Sequence, residues 1–170
     1  MFNTKIAIIA GAPGVGKTTI ARRTCEIIKN ERECIAIHLE VDNVRSMLLG
    51  DNSDYSDHPG WLELVKSIVD RAMRFTEVIV IDGLFYEPRT VESLLMRYPD
   101  TKVFMLEASL ELCLHRNRNR LFIDDRLDNE EIKRLYYGNK NNSWIKLDGH
   151  QTIEALTLQL INEIYSQHRT

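Results

Sequence analysis

Cysteine is scarce in this chain, and long apolar runs are missing from it. The three cysteines, Cys25, Cys34 and Cys113, are scattered and form no C-x-x-C pair, which argues against a disulfide framework or a thiolate metal site. No run of about 18 apolar residues occurs, so we expect no membrane span. Because a core strand begins within a few residues of the N-terminus, we also expect no signal peptide. These absences favour a cytoplasmic protein.

The charge balance and the histidines argue against two further classes of protein. A formal net charge of -3 over 170 residues gives no overall basic surface for duplex nucleic acid. The five histidines show no metal-ligand spacing; they are His38, His58, His115, His150 and His168. Internal repeats, low-complexity tracts and interdomain linkers are also missing. We therefore predict a single domain over residues 1–170.

What the sequence does contain is a glycine loop between a predicted strand and a predicted helix. The apolar run from Ile6 to Ala10 predicts a strand buried on both faces, and an amphipathic stretch begins near Thr18. The chain between them fits the nucleotide-binding pattern G-x-x-x-x-G-K-S/T. Its residues are Gly11, Ala12, Pro13, Gly14, Val15, Gly16, Lys17 and Thr18.

Each part of this loop suits the binding of phosphate. The backbone N–H groups of a glycine turn and of a helix N-terminus together form a cradle for an anion. Lys17 would reach the β- and γ-phosphates of ATP, and the Thr18 hydroxyl would ligate Mg²⁺. With Thr19, which follows directly, the loop is the predicted cofactor-binding segment.

Two acidic residues follow predicted strands. Residues 34–39 predict a second strand, and residues 78–81 a third. Asp42 and Arg45 come just after the second strand, and Asp82 ends the third. Because ligands bind at the carboxyl edge of an open parallel sheet, we predict that these three residues bind substrate. Asp82 is also the predicted Mg²⁺ ligand, with Thr18. Two structural alternatives stay open: Asp42 as a helix N-cap, and Asp82 as part of a turn.

Arginine is concentrated in one short stretch. Four arginines occur there, at positions Arg116, Arg118, Arg120 and Arg126. We interpret residues 116–128 as a lid whose guanidinium groups close over the triphosphate and neutralise charge in the transition state. A solvated charged helix face is the alternative.

Strands and helices alternate along the rest of the chain. Further strands are predicted over residues 103–106 and 144–147, and Ser109 is predicted to cap a helix. Other predicted helices cover residues 61–73, 88–98, 129–137 and 152–165, and a polar loop covers residues 50–60. Trp61 is expected in the core. Five strands alternating with helices predict an α/β fold with a parallel sheet covered on both faces.

Together these motifs resemble the P-loop kinases that phosphorylate hydroxyl acceptors, the AAA_33 and zeta-toxin-like group. The resemblance covers nearly the whole chain, and it is closest to the kinase module of phage-type polynucleotide 5′-kinases. It implies a P-loop NTPase three-layer sandwich with sheet order 2-3-1-4-5, a helical lid, and the use of ATP with Mg²⁺.

The resemblance also implies a role for each acceptor-side residue. Asp42 corresponds to a general base that takes the proton of the acceptor hydroxyl, and Arg45 to a clamp on the acceptor. Asp82 corresponds to the acid of the third strand. These roles would place the acceptor hydroxyl near Asp42.

The lid pattern Arg-Asn-x-x-Arg of the resembled family stands here at residues 116–120. By that comparison Arg120 would contact the phosphoryl group in transfer, and Arg116 would lie at the base of the lid. Both would then bind the nucleotide. The predicted catalytic residues are Lys17, Asp42 and Arg120.

The sequence leaves the phosphoryl acceptor open. We predict a hydroxyl of a small molecule. A nucleic-acid 5′ end is the alternative, which the lid pattern favours and which the net charge and the acidic residues 51–57 oppose. A non-transferring ATPase or nucleotide switch is a third reading, but the chain has no guanine-reading N-K-x-D stretch. Whether the protein is a monomer or a dimer is also open.

Overall fold

The computed structural model describes residues 3–49, 60–85, 88–120, 127–138 and 143–166. Some of the predicted features fall on residues outside these ranges. Residues 50–59 of the predicted loop, residues 121–126 of the predicted lid with Arg126, and the histidines His58 and His168 lie outside the described residues.

A five-stranded parallel sheet forms the centre of the described part of the chain. Its strands are β1 (Lys5–Gly11), β2 (Ala36–Glu40), β3 (Val78–Asp82), β4 (Lys102–Glu107) and β5 (Ile145–Asp148). Their order is β2-β3-β1-β4-β5, and each neighbouring pair is parallel. β-branched residues dominate the central strand β3, which reads Val-Ile-Val-Ile-Asp and is buried throughout. The predicted fold class and strand order are confirmed.

Helices cover both faces of the sheet. Within the described residues they are α1 (Lys17–Arg32), α2 (Val41–Leu49), α3 (Gly60–Ala72), α4 (Pro88–Arg97), α5 (Leu110–Arg118), α6 (Asn129–Gly138) and α7 (Ile153–Tyr165). Ser109 caps α5 as predicted, because its hydroxyl accepts a hydrogen bond from the Leu112 amide. None of the helices in the described ranges has the length and apolar character that a membrane crossing needs.

The alternation of side chains along β1 divides the core into two layers. Ala7 and Ile9 pack on the side of α1 and α7, whereas Ile6 and Ile8 pack on the side of α3 and α4. Successive side chains of a strand point to opposite faces, so one strand supplies both layers. The result is the three-layer sandwich that the sequence predicted.

The register of the sheet brings the carboxyl ends of three strands together. Glu40, the last residue of β2, pairs with Asp82, the last residue of β3, and Asp82 pairs with Ile9 of β1. The chain leaves β1 through the glycine loop into α1, and it leaves β2 directly into α2. The residues after all three strands therefore meet at one edge of the sheet.

Candidate functional site

The glycine loop closes tightly against its surroundings at Gly14. This residue has a φ of 77°, in the left-handed region that glycine favours. A Cβ added to it would lie 2.5 Å from the Cys113 carbonyl oxygen, so the loop rests directly on the backbone of α5. Cys113 is buried beneath the loop, and this burial raises the pKa of its thiol, against the opposing charges of Lys17 and Arg116. The backbone of Cys113 is therefore what fixes the approach of the loop to α5.

Lys17 is the buried cation of the loop. Its Nζ donates to the carbonyl oxygens of Gly11 and Ala12, each at 3.0 Å, so the ammonium group is turned toward the loop backbone. Burial lowers the pKa of Lys17; the nearby carboxylates of Asp42 and Asp82 act in the opposite direction. A phosphate group would supply the further negative charge that favours the protonated lysine.

The predicted metal ligands Thr18 and Asp82 lie together. The Thr18 hydroxyl donates to Oδ2 of Asp82 at 2.6 Å, and Asp82 is 1% exposed. Within the described residues, no group of three or more His, Cys, Asp or Glu side chains is placed to hold a metal ion. A hydroxyl and a carboxylate suit Mg²⁺, which binds oxygen and takes most of its ligands from water and nucleotide phosphates. The two residues therefore fit the ion that the sequence predicts.

Asp42 lies in the first turn of α2, beside the end of β3. Its Oδ1 accepts hydrogen bonds from Nη1 of Arg45 at 3.3 Å and from the Leu84 amide at 3.4 Å. The side chain of Asp42 is 43% exposed, so a ligand can reach it. The bond to Leu84 links α2 to the loop after β3. A helix N-cap would instead accept a hydrogen bond from an amide in the first turn of its own helix. Asp42 also lies near enough to Lys17 for its negative charge to raise the lysine pKa. The region between these two side chains, at the carboxyl edge of the sheet, is termed the cleft.

Arg45 is held between an aromatic ring and the backbone. Its guanidinium lies 4.0 Å from the ring centroid of Trp61, and Nη1 also donates to the Leu84 carbonyl at 3.1 Å. Both side chains are buried, which confirms the expected core position of Trp61. The contacts of Arg45 with Asp42 and Leu84 show that it stabilises the predicted acceptor side of the cleft.

Arg116 connects the glycine loop to the segment after β5. Nη1 donates to the Val15 carbonyl at 2.7 Å, and Nη2 donates to the Gly149 carbonyl at 3.1 Å. Arg120 lies near enough to Lys17 for its positive charge to add to the lowering of the lysine pKa. Arg118, in contrast, is exposed and donates to the Leu114 carbonyl of its own helix. The structure thus brings Arg116 and Arg120 to the glycine loop.

Two residues of β2 contribute to the site although the sequence did not single them out. Nε2 of His38 lies 2.5 Å from Oδ1 of Asp82. Oε1 of Glu40 lies 3.5 Å from the Thr18 hydroxyl, and its Oε2 accepts from Arg22 at 3.1 Å and from Asn43 at 3.0 Å. The period-2 alternation of a strand places positions 38 and 40 on one face, which is the signal that was available.

This arrangement defines a P-loop protein of the kinase type, and comparison with known proteins gives its family. The AAA_33 family model, described as an AAA domain, matches residues 6–137. The chain belongs to that family. No curated protein matches the sequence.

Solved structures of kinases share the fold. A gluconokinase from Sinorhizobium meliloti 1021 superposes with a TM-score of 0.68 at 14% identity, covering 96% of this chain and 93% of its own. A sugar kinase from Janibacter sp. HTCC2649 gives a TM-score of 0.67 at 19% identity, covering 96% and 99%. The APS kinase CysC of Mycobacterium tuberculosis, as a Cys556Ala mutant, gives 0.69 at 12% identity, covering 98% and 100%. Family and fold together support a nucleotide-dependent kinase.

Proposed function

We propose that this protein is an ATP-dependent phosphotransferase that moves the γ-phosphate of ATP to a hydroxyl group of a small molecule. The observation that carries the proposal is the proximity of Lys17 and Asp42 at the carboxyl edge of the sheet. One is the buried cation of the phosphate loop, and the other is an exposed carboxylate held at the carboxyl edge of the sheet. A nucleotide switch would need the first group but has no use for the second.

The phosphate side of the cleft would hold ATP by its triphosphate. The loop amides and the N-terminus of α1 would bind the phosphate oxygens, and Lys17 would exchange its bonds to Gly11 and Ala12 for bonds to phosphate. Thr18 and Asp82 would hold Mg²⁺, whose charge offsets that of the β- and γ-phosphates when it is bound. Arg120 would offset the charge of the phosphoryl group in transfer.

The acceptor side would supply the base. Arg45 and the Leu84 amide both bond Oδ1 of Asp42. Oδ2 would then accept the hydrogen bond of the acceptor hydroxyl. The acceptor oxygen forms a bond to the γ-phosphorus as the bond from that phosphorus to the bridging oxygen of ADP breaks. The hydroxyl proton passes to Asp42. Phosphoryl transfer needs positioning and charge stabilisation more than covalent chemistry, and these rigid contacts provide both.

The acceptor class follows from the charge of the chain and from the kinases that share its fold. A net charge of -3 is poorly suited to a polyanionic acceptor. The gluconokinase and the sugar kinase are named for small hydroxyl-bearing substrates. Both points favour a small molecule over a nucleic-acid 5′ end.

Transfer of labelled phosphate tests the proposal. Purified protein receives ATP with a radioactive γ-phosphate, together with either a 5′-hydroxyl oligonucleotide or a pool of sugars, nucleosides and aminoalcohols. We expect label in the pool, and we expect Asp42→Asn to lower kcat by about 10²–10⁴-fold while ATP affinity is retained. Asp100→Asn, at an exposed turn, is the matched control.

Each other result of this assay has a definite meaning. Label on the oligonucleotide, lost in Asp42→Asn, would identify a polynucleotide 5′-kinase and overturn the small-molecule proposal. Release of free phosphate at the same rate in wild type and Asp42→Asn, with no labelled acceptor, would identify a non-transferring ATPase.

A further inference from the structure

Both oxygens of the Asp82 carboxylate have a side-chain partner. Oδ2 accepts the hydrogen bond of the Thr18 hydroxyl at 2.6 Å, on the side of the glycine loop. Oδ1 lies 2.5 Å from Nε2 of His38, which comes from the neighbouring strand β2. A carboxylate accepts hydrogen bonds, so the imidazole is the donor in this pair. Helix α1 and strand β2 thus each supply a partner for one oxygen of this buried carboxylate.

We propose that His38 is a positioning residue for Asp82, fixing the carboxylate in the orientation that binds the metal of the ATP complex. The inference rests on the proposed function, because that function assigns Asp82 to Mg²⁺. His38 itself does not contact the nucleotide or the acceptor in this scheme. It acts only through Asp82.

The need for such a residue follows from the freedom of an aspartate side chain. The terminal torsion of aspartate is broad, so the backbone alone does not fix which way the two oxygens point. A donor on Oδ1 removes that freedom and keeps Oδ2 directed at Thr18. Carboxylates that bind metals are commonly held in this way by an outer hydrogen-bond partner.

The other polar side chain of β2, that of Glu40, does not take this role. Glu40 pairs with Asp82 in the register of the sheet, but its Oε2 is bonded to Arg22 and Asn43. These bonds direct Glu40 toward α1 and α2 rather than toward Asp82. His38 is therefore the residue of β2 that bonds the carboxylate.

Metal binding tests the proposal directly. The probe is Mn²⁺, titrated by electron paramagnetic resonance in the presence of a non-hydrolysable ATP analogue, and the same analogue without metal is titrated separately. We expect His38→Leu to weaken Mn²⁺ binding by about 10–100-fold and to leave metal-free nucleotide affinity unchanged. His38→Gln, whose amide can donate from a similar position, should keep an affinity close to that of the wild type. Ile37→Val, next along the same strand, is the packing control.

The outcomes separate this inference from the proposed function. Unchanged Mn²⁺ affinity in His38→Leu would overturn the role of His38 alone. Equal loss of metal-bound and metal-free nucleotide binding in both His38 variants would also overturn it, in favour of a purely structural histidine. If the wild type itself showed no nucleotide-dependent Mn²⁺ site, both the inference and the proposed function would fail. Thermal unfolding of each variant identifies any that do not fold.

Discussion

The side chain of Asn117 bonds both backbone groups of Leu127. Its Nδ2 donates to the Leu127 carbonyl at 2.9 Å, and the Leu127 amide donates to its Oδ1 at 3.2 Å. Asn117 is buried near the end of α5, and Leu127 comes shortly before α6. A side-chain amide suits this arrangement because it supplies a donor and an acceptor together. The pair ties the end of α5 to the residues just before α6, and both of its members lie within the predicted lid.

Removal of this amide should destabilise the fold. We expect Asn117→Ala to lower the free energy of unfolding by about 1–3 kcal/mol, because the partly buried carbonyl and amide of Leu127 lose their partner. Urea unfolding measures the change. Asn119→Ala is the matched control, since Asn119 is exposed and bonds the ring of His115. If the two variants unfold at the same urea concentration, the Asn117 pair contributes nothing to stability.

The sequence predicted those parts of the site that depend on local pattern. The glycine pattern indicated the loop, and apolar runs indicated that Asp82 ends a buried strand. Parallel strands end at a common edge, so the proximity of Thr18 and Asp82 followed from these two observations. The strand order itself came from the resemblance to a family, because periodicity within a strand does not state which strands are neighbours.

The contacts between distant side chains could not be predicted. His38 and Asp82 are 44 positions apart, and the register between β2 and β3 decides that they meet. Arg45 was predicted as an acceptor clamp, and its position above Trp61 depends on how α2 packs against α3. Packing angles and register are set by the whole core, so a motif in one segment does not contain them.

The role of Arg45 can be decided by the kinetic parameter that its substitution changes. Its contacts with Asp42 and Leu84 indicate that it positions Asp42, the proposed base. We expect Arg45→Lys to lower kcat by about 10–100-fold at an unchanged acceptor KM. A lysine lacks the planar guanidinium that covers Trp61 while its Nη1 bonds both Asp42 and the Leu84 carbonyl. Steady-state kinetics with the labelled acceptor measures both parameters.

A different kinetic result would support the clamp instead. If Arg45→Lys raised the acceptor KM and left kcat unchanged, Arg45 would bind the acceptor equally in the ground and transition states. Arg71→Lys, on the exposed face of α3, controls for the general effect of the substitution. Arg45→Met retains packing against Trp61 without the hydrogen bonds and should match the kcat loss of Arg45→Lys.

The lowered pKa of Lys17 should appear in the pH dependence of stability. Burial is the main cause of the lowering from the ordinary value of 10.5. Between the lowered pKa and 10.5 the unfolded chain binds more protons at this position than the folded chain does. The free energy of unfolding contributed by Lys17 therefore rises with pH in that window, by at most about 1.4 kcal/mol per pH unit.

Comparison with Lys17→Met isolates this contribution. This variant should abolish phosphoryl transfer. Relative to Lys17→Met, the wild type should gain unfolding free energy as the pH rises toward 10.5. Lys29→Met, on the exposed face of α1, shows what the loss of one lysine does to the same urea curves. Parallel pH dependence in the two variants would contradict the lowered pKa.

Bound ATP would place phosphate beside the Lys17 ammonium group and give the charged lysine a counter-charge in the folded state. A saturating nucleotide should therefore flatten the pH dependence of the unfolding free energy of the wild type.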